Sequence, residues 1–195
     1  MSEIAISSLL AVVTGIASSY LFWIWLTKGL APKVVWSSAI SKARLPGGPV
    51  KYRVKIMNTG RRAAVDFSAV CMLKLPDAGS NGNTKLATLR TLDVPLPRLA
   101  PGRSRVITIK TDGIDPLQVR GLPDAVRECL NQDPPIPLEQ LLARFPGAHL
   151  VLHLSAYDEK SGTRCHFTSQ DYTTRSITDR PFSSDSVDIQ SRGLT

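Results

Sequence analysis

The chain reads as a mainly β protein, a β-sandwich carried behind one apolar helix. Three observations predict this. Residues 4–26, IAISSLLAVVTGIASSYLFWIWL, hold no charged side chain. Beyond them, short runs of strictly alternating apolar and polar residues recur between turn signals, the pattern of half-buried strands. With 43% hydrophobic residues among 195, there is material for one real core, which excludes wholesale disorder.

The apolar segment is long enough to cross a bilayer, which takes about 20 residues of helix. Tyr20, Phe22, Trp23 and Trp25 crowd its C-terminal end, where rings settle among headgroups, and Tyr20, Trp23 and Trp25 are the expected interface residues. A cleaved signal peptide fits less well: Met-Ser-Glu lacks a cation and the apolar run is too long. Downstream come Lys28, Lys33, Lys42 and Arg44, with no acid before Asp66. The positive-inside rule then puts the N-terminus outside and the C-terminal part in the cytoplasm, at the plasma (inner) membrane. Three cysteines, Cys71, Cys129 and Cys165, do not make a disulfide framework and agree with a reducing compartment. Ser8, Gly15 and Ser19 lie near one stripe of the helix, where small residues permit close helix contact.

Four stretches follow from composition: an anchor over 1–28, a basic juxtamembrane linker and first strand over 29–46, the sandwich over 47–180, and a loose polar tail over 181–195. From Lys28 to Arg105 there are fifteen basic residues and three acids; from Lys110 to Arg180, eight and ten. The positive half adjoins the membrane segment, so Lys28, Lys33, Lys42 and Arg44 are candidates for topology and for contact with anionic headgroups, at about 1 kcal/mol each. A nucleic-acid partner is not expected, because neither stacking aromatics nor a recognisable fold accompanies the charge.

Lys51 to Ile56 alternates, with Tyr52, Val54 and Ile56 inward and Lys51, Arg53 and Lys55 on a solvated outer face. Asn58-Thr59-Gly60 is a turn. Val65, Phe67, Ala69, Cys71, Leu73 and Leu75 share one inward parity, and Cys71 is a core residue rather than a nucleophile. A polar loop spans 77–83, a strand 86–94, a turn 100–102 and another strand 105–110. In the Pro-rich stretch 112–147 two short helices fit, over 124–130 and 137–144. His149 to Ala156 alternates with Leu150, Leu152, Leu154 and Ala156 inward; 158–162 is a hairpin loop and 164–169 returns.

No catalytic or metal motif emerges. His149 and His153, four apart on a strand, are separated by about 13 Å at 3.3 Å per residue, too far to share an ion. Cys165 and His166 point to opposite faces. HExxH, phosphate-loop and GxSxG patterns are absent. A non-enzyme without metal or cofactor is expected.

The order of these elements resembles the inner helix and cytoplasmic domain of bacterial inward-rectifier potassium channels. Ala31-Pro32-Lys33-Val34-Val35-Trp36-Ser37 is similar to that family's linker and first strand, and residues 39–56 to the strand that follows. Asn58-Thr59-Gly60-Arg61-Arg62 and the run to Leu75 resemble the next hairpin. Pro137-Leu138-Glu139-Gln140-Leu141-Leu142 resembles the short helix before the final hairpin, and 149–172 that hairpin. The resemblance implies an immunoglobulin-like sandwich that self-assembles or meets a membrane-protein partner. The chain departs from the family in having one membrane helix and no Gly-Tyr-Gly or Gly-Phe-Gly, so it builds no selectivity filter by itself. The expected function is a single-pass, membrane-anchored binding and assembly module. The alternative is an exported envelope or adhesion sandwich.

Overall fold

A computed structural model of the chain describes residues 2–44, 50–76, 84–92, 97–114, 124–130 and 136–182. Helix α1, Ser2–Ile24, is followed by a wider π turn, Trp25–Gly29. Among the described residues ten strands come next: β1 Val34–Trp36, β2 Ile40–Arg44, β3 Val50–Asn58, β4 Ala64–Leu75, β5 Lys85–Leu92, β6 Arg98–Leu99, β7 Ser104–Ile114, β8 His149–Asp158, β9 Arg164–Thr168 and β10 Ile177–Thr178. Helices α2, Asp124–Leu130, and α3, Leu138–Arg144, lie between β7 and β8. Both helices fall where the Pro-rich stretch leaves room for them. Pro137 sits just outside α3 with extended backbone, where its missing N–H costs nothing.

The strands run in the order β10-β2-β3-β7-β5-β4-β8-β9, with β1 also beside β3 and β6 beside β4. The pairing register slips between Leu89 and Thr91, where β5 meets β7. The sheet curls into a sandwich, and one apolar core joins its two halves. Tyr52, Val54 and Ile56 from one half share that core with Cys71, Leu73, Leu75, Leu150, Leu152 and Leu154 from the other. These are the inward residues expected from alternation. Helix α3 adds Leu138, Leu141 and Leu142, and α2 adds Val126 and Cys129. Burial alone pushes the Cys71 thiol up to about 12, so it is a packed side chain and not a nucleophile.

Two expectations change. Phe67 is only partly buried, because β4 bulges between Val65 and Ser68 and Asp66 takes a positive φ of 52°. A bulge admits one extra residue and locally re-aims the strand. The outer cations of β3 are not a solvated face either. Lys55 is 4% exposed, and Lys51 and Arg53 are half-buried. Here β10 pairs in parallel with β2, and the Ser41 hydroxyl donates to the Arg180 carbonyl at 2.8 Å. Asp179, Pro181 and Phe182 then line a cavity with Arg53 and Lys55. Alternation along β3 gives its two faces, but a segment about 125 residues later decides what covers one of them. The predicted loop over 77–83 and the tail beyond Phe182 lie outside the described residues.

Candidate functional site

Helix α1 is long and apolar enough to cross a membrane over Glu3–Ile24, and none of that span is buried against the sandwich. Tyr20, Trp23 and Trp25 are exposed at its C-terminal end. Tyr20 stacks on Trp23 with ring centroids 6.3 Å apart, and Phe22 on Trp25 at 6.0 Å. In helices that cross a bilayer, rings of this kind settle at headgroup depth.

The linker after the π turn is built into the sandwich. Asn58, at the end of β3, is fully buried and uses its whole amide. Its Oδ1 accepts from the backbone N–H of Lys33 at 3.2 Å and of Gly60 at 2.9 Å. Its Nδ2 donates to the Arg62 carbonyl at 2.8 Å and the Leu99 carbonyl at 3.0 Å. Its own backbone N–H reaches the Arg103 carbonyl, and its carbonyl accepts from Gly102. One side chain thus ties the linker to the β3–β4 turn, to β6 and to the β6–β7 turn. Gly60 closes the same joint: a Cβ there would lie 2.4 Å from the Lys33 nitrogen and 2.5 Å from the Ala31 oxygen. Only glycine permits that backbone approach.

Lys33 and Lys42, the two predicted cations whose side chains are described, do not sit together. Lys33 lies at this joint, exposed. Lys28 falls in the π turn, with its side chain outside the described part. Lys42 pairs across from Tyr52, and Arg44, whose side chain is also outside the described part, from Val50. Those positions lie roughly 20 and 26 Å along β3 from Asn58 at about 3.3 Å per residue. Lys42 is ion-paired with Glu139 at the start of α3. The Tyr52 hydroxyl donates to the same carboxylate at 2.6 Å and accepts from the Leu138 N–H at 2.9 Å. Burial pushes the Glu139 carboxyl up, but the bonds from Lys42 and Tyr52 outweigh it and the net displacement is downward. Burial and the Glu139 carboxylate raise the Tyr52 hydroxyl strongly. Lys42 therefore docks α3 rather than facing outward.

Other cations gather at the joint instead. Arg61, Arg103, Arg105 and Lys160 are exposed there. Arg62 binds Asp158 at 3.2 Å; Asp158 is buried, which raises its carboxyl, yet bonds from the Lys160 backbone, Ser161 and Arg62 bring it below the usual range. Arg98 grips Glu159 through two bonds, Nε to Oε1 at 2.7 Å and Nη2 to Oε2 at 3.0 Å. Beside them a cavity of about 580 Å³ is lined by Met57, Arg98, Leu99, Arg103, Ser104 and Arg105, among others. From the sequence Asn58 reads only as part of a turn, and Arg98, Arg103 and Arg105 receive no role. The available signal was a turn flanked by cations on both sides, Arg98-Leu99-Ala100-Pro101-Gly102-Arg103, two residues before Arg105.

His149 and His153 serve local bonds, to the Gly147 carbonyl at 3.0 Å and the Thr168 hydroxyl at 3.2 Å. Among the described residues no group of three or more His, Cys, Asp or Glu could hold a metal ion. The chain matches no model of a known protein family and no curated protein.

Proposed function

We propose that the chain is a single-pass, membrane-anchored binding and assembly module whose β-sandwich sits at the cytoplasmic face. The observation that carries this reading is the Asn58 joint. An apolar helix with an aromatic belt enters the sandwich through a backbone held at both Lys33 and Gly60. A passive tether needs no such joint; a domain held at a defined attitude to the membrane does. The basic flank of the helix supports the cytoplasmic side. The resemblance to inward-rectifier channel domains supports self-assembly or a membrane-protein partner, and the missing filter argues against conduction by this chain alone. Anionic headgroups are assigned to Lys28 and Lys33, with Arg61 on the turn that holds Lys33, rather than to Lys42.

A reporter fused after Thr195 that is active only in the cytoplasm tests the side. Activity supports the reading. Cleavage of the sandwich by protease added outside intact cells overturns it and favours the exported alternative. Cross-linking in native membranes tests assembly: a ladder above the monomer, or one defined heterologous band, supports it. A monomer alone at every cross-linker dose removes assembly from the proposal.

A further inference from the structure

We propose that the arginine-lined cavity beside the Asn58 joint is a binding site for a phosphate-bearing ligand, a phosphomonoester or pyrophosphate group on a larger polar body. Arg98, Arg103, Ser104 and Arg105 all line it. Among the described residues, Arg103 and Arg105 are in no ion pair. Glu159 engages Nε and Nη2 of Arg98, so that guanidinium is held in place by bonds that leave Nη1 out. A carboxylate that holds one arginine while two neighbours have no ion-pair partner among the described residues is the arrangement of an anion site, and guanidinium forks match phosphate oxygens two at a time. One monoanion would leave charge uncompensated there, so a group with two or more negative charges is favoured. The cavity, about 580 Å³, is far larger than a phosphate and within the range of sites for small molecules.

The floor of the cavity is also fixed. Gly102, at φ +69°, makes the tight turn, and its N–H and the Arg103 carbonyl are both bonded to the Asn58 backbone. Arg103 therefore projects from a rigid turn rather than a loose loop, and ordering it on binding costs less. The same Asn58 holds Lys33. The phosphate could come from a soluble metabolite or a lipid headgroup, since only a short linker separates this end from the helix.

Arginine footprinting on the full chain tests the site and separates the sources. The chain is placed in phosphatidylcholine nanodiscs and labelled with phenylglyoxal, with and without inorganic pyrophosphate, and each arginine is quantified by mass spectrometry. The labelling is repeated in nanodiscs containing phosphatidic acid, a phosphomonoester lipid, or phosphatidylglycerol, at equal bilayer charge. Protection of Arg103 and Arg105 by pyrophosphate, roughly tenfold and with Arg144 and Arg175 unchanged, supports a soluble ligand. The same protection by phosphatidic acid but not phosphatidylglycerol supports a headgroup. Arg103→Gln should then abolish protection at Arg105. Three results overturn the site: no protection by either phosphate probe, equal protection at Arg144 and Arg175, or undiminished protection of Arg105 in the Arg103→Gln chain. None depends on membrane side or assembly.

Discussion

Replacing Asn58 by Ala should loosen the attachment of the linker and destabilise the sandwich together. The substitution deletes four side-chain hydrogen bonds of 2.8–3.2 Å and strands two backbone N–H groups and two carbonyls around a fully buried position. At a net of about 1 kcal/mol each the loss is about 4 kcal/mol, which for a domain of this size lowers the melting temperature by on the order of 10 °C. Asn58→Asp sharpens the test. It keeps the shape and the two accepted bonds but turns a carboxylate toward the Arg62 and Leu99 carbonyls, where Nδ2 now donates. It should be at least as damaging as Ala, although it is nearly isosteric. Thermal melts of the full chain in neutral detergent, read by thiol labelling of the buried Cys71 and Cys129, follow the sandwich without the helix, which holds no cysteine. Trypsin cleavage after Lys33 follows the linker, because that residue is held through both its N–H and its carbonyl. Either variant melting within about 2 °C of the parent, with cleavage after Lys33 unchanged, would refute the joint.

Leu152→Ala, at a fully buried position, should cost about 2–5 kcal/mol, while Phe67→Ala should fall below the usual 3–5 kcal/mol because that ring is only partly buried; equal melts for the two would put the β4 bulge in doubt. Lys42→Gln should lower stability and leave salt-dependent binding to phosphatidylserine vesicles intact, whereas Lys33→Gln with Arg61→Gln should weaken that binding and leave the melt unchanged; the reverse pattern would return Lys42 to the membrane. Stability should be flat near neutrality and fall at both extremes of pH in equilibrium melts. Glu139 and Asp158 sit below their ordinary values when folded, so their contribution is present above about pH 4–5 and is lost as acid protonates them. Cys71 and Tyr172, both pushed up to about 12 chiefly by burial, contribute below their unfolded values of about 8.5–10 and lose that contribution as pH rises further.

The long apolar N-terminal helix, the inward faces of β3, β4 and β8 and the two helices between prolines were legible from the chain alone. Each depends on a period or a breaker acting within a few residues: continuous apolarity, alternation, or a ring that forbids helix. Tyr52, Val54, Ile56, Leu150, Leu152 and Leu154 are buried as their parity requires. What alternation could not supply was partnership across the sequence. Lys55 reads as an outward cation, yet it is buried on a face that β10 and Asp179–Phe182 border. Lys42 reads as juxtamembrane, yet it reaches across 97 positions to Glu139. Phe67 keeps its parity but loses full burial to a bulge at Asp66 that has no local signature. Asn58 and Gly60 read as a simple turn, while their roles come from segments 25 residues before and 41 after. Local chemistry determined which residues could be strand, turn or anchor. Only the tertiary structure decided which cations are neutralised and which three arginines share a cavity, because charge pairing depends on distances that sequence separation does not measure.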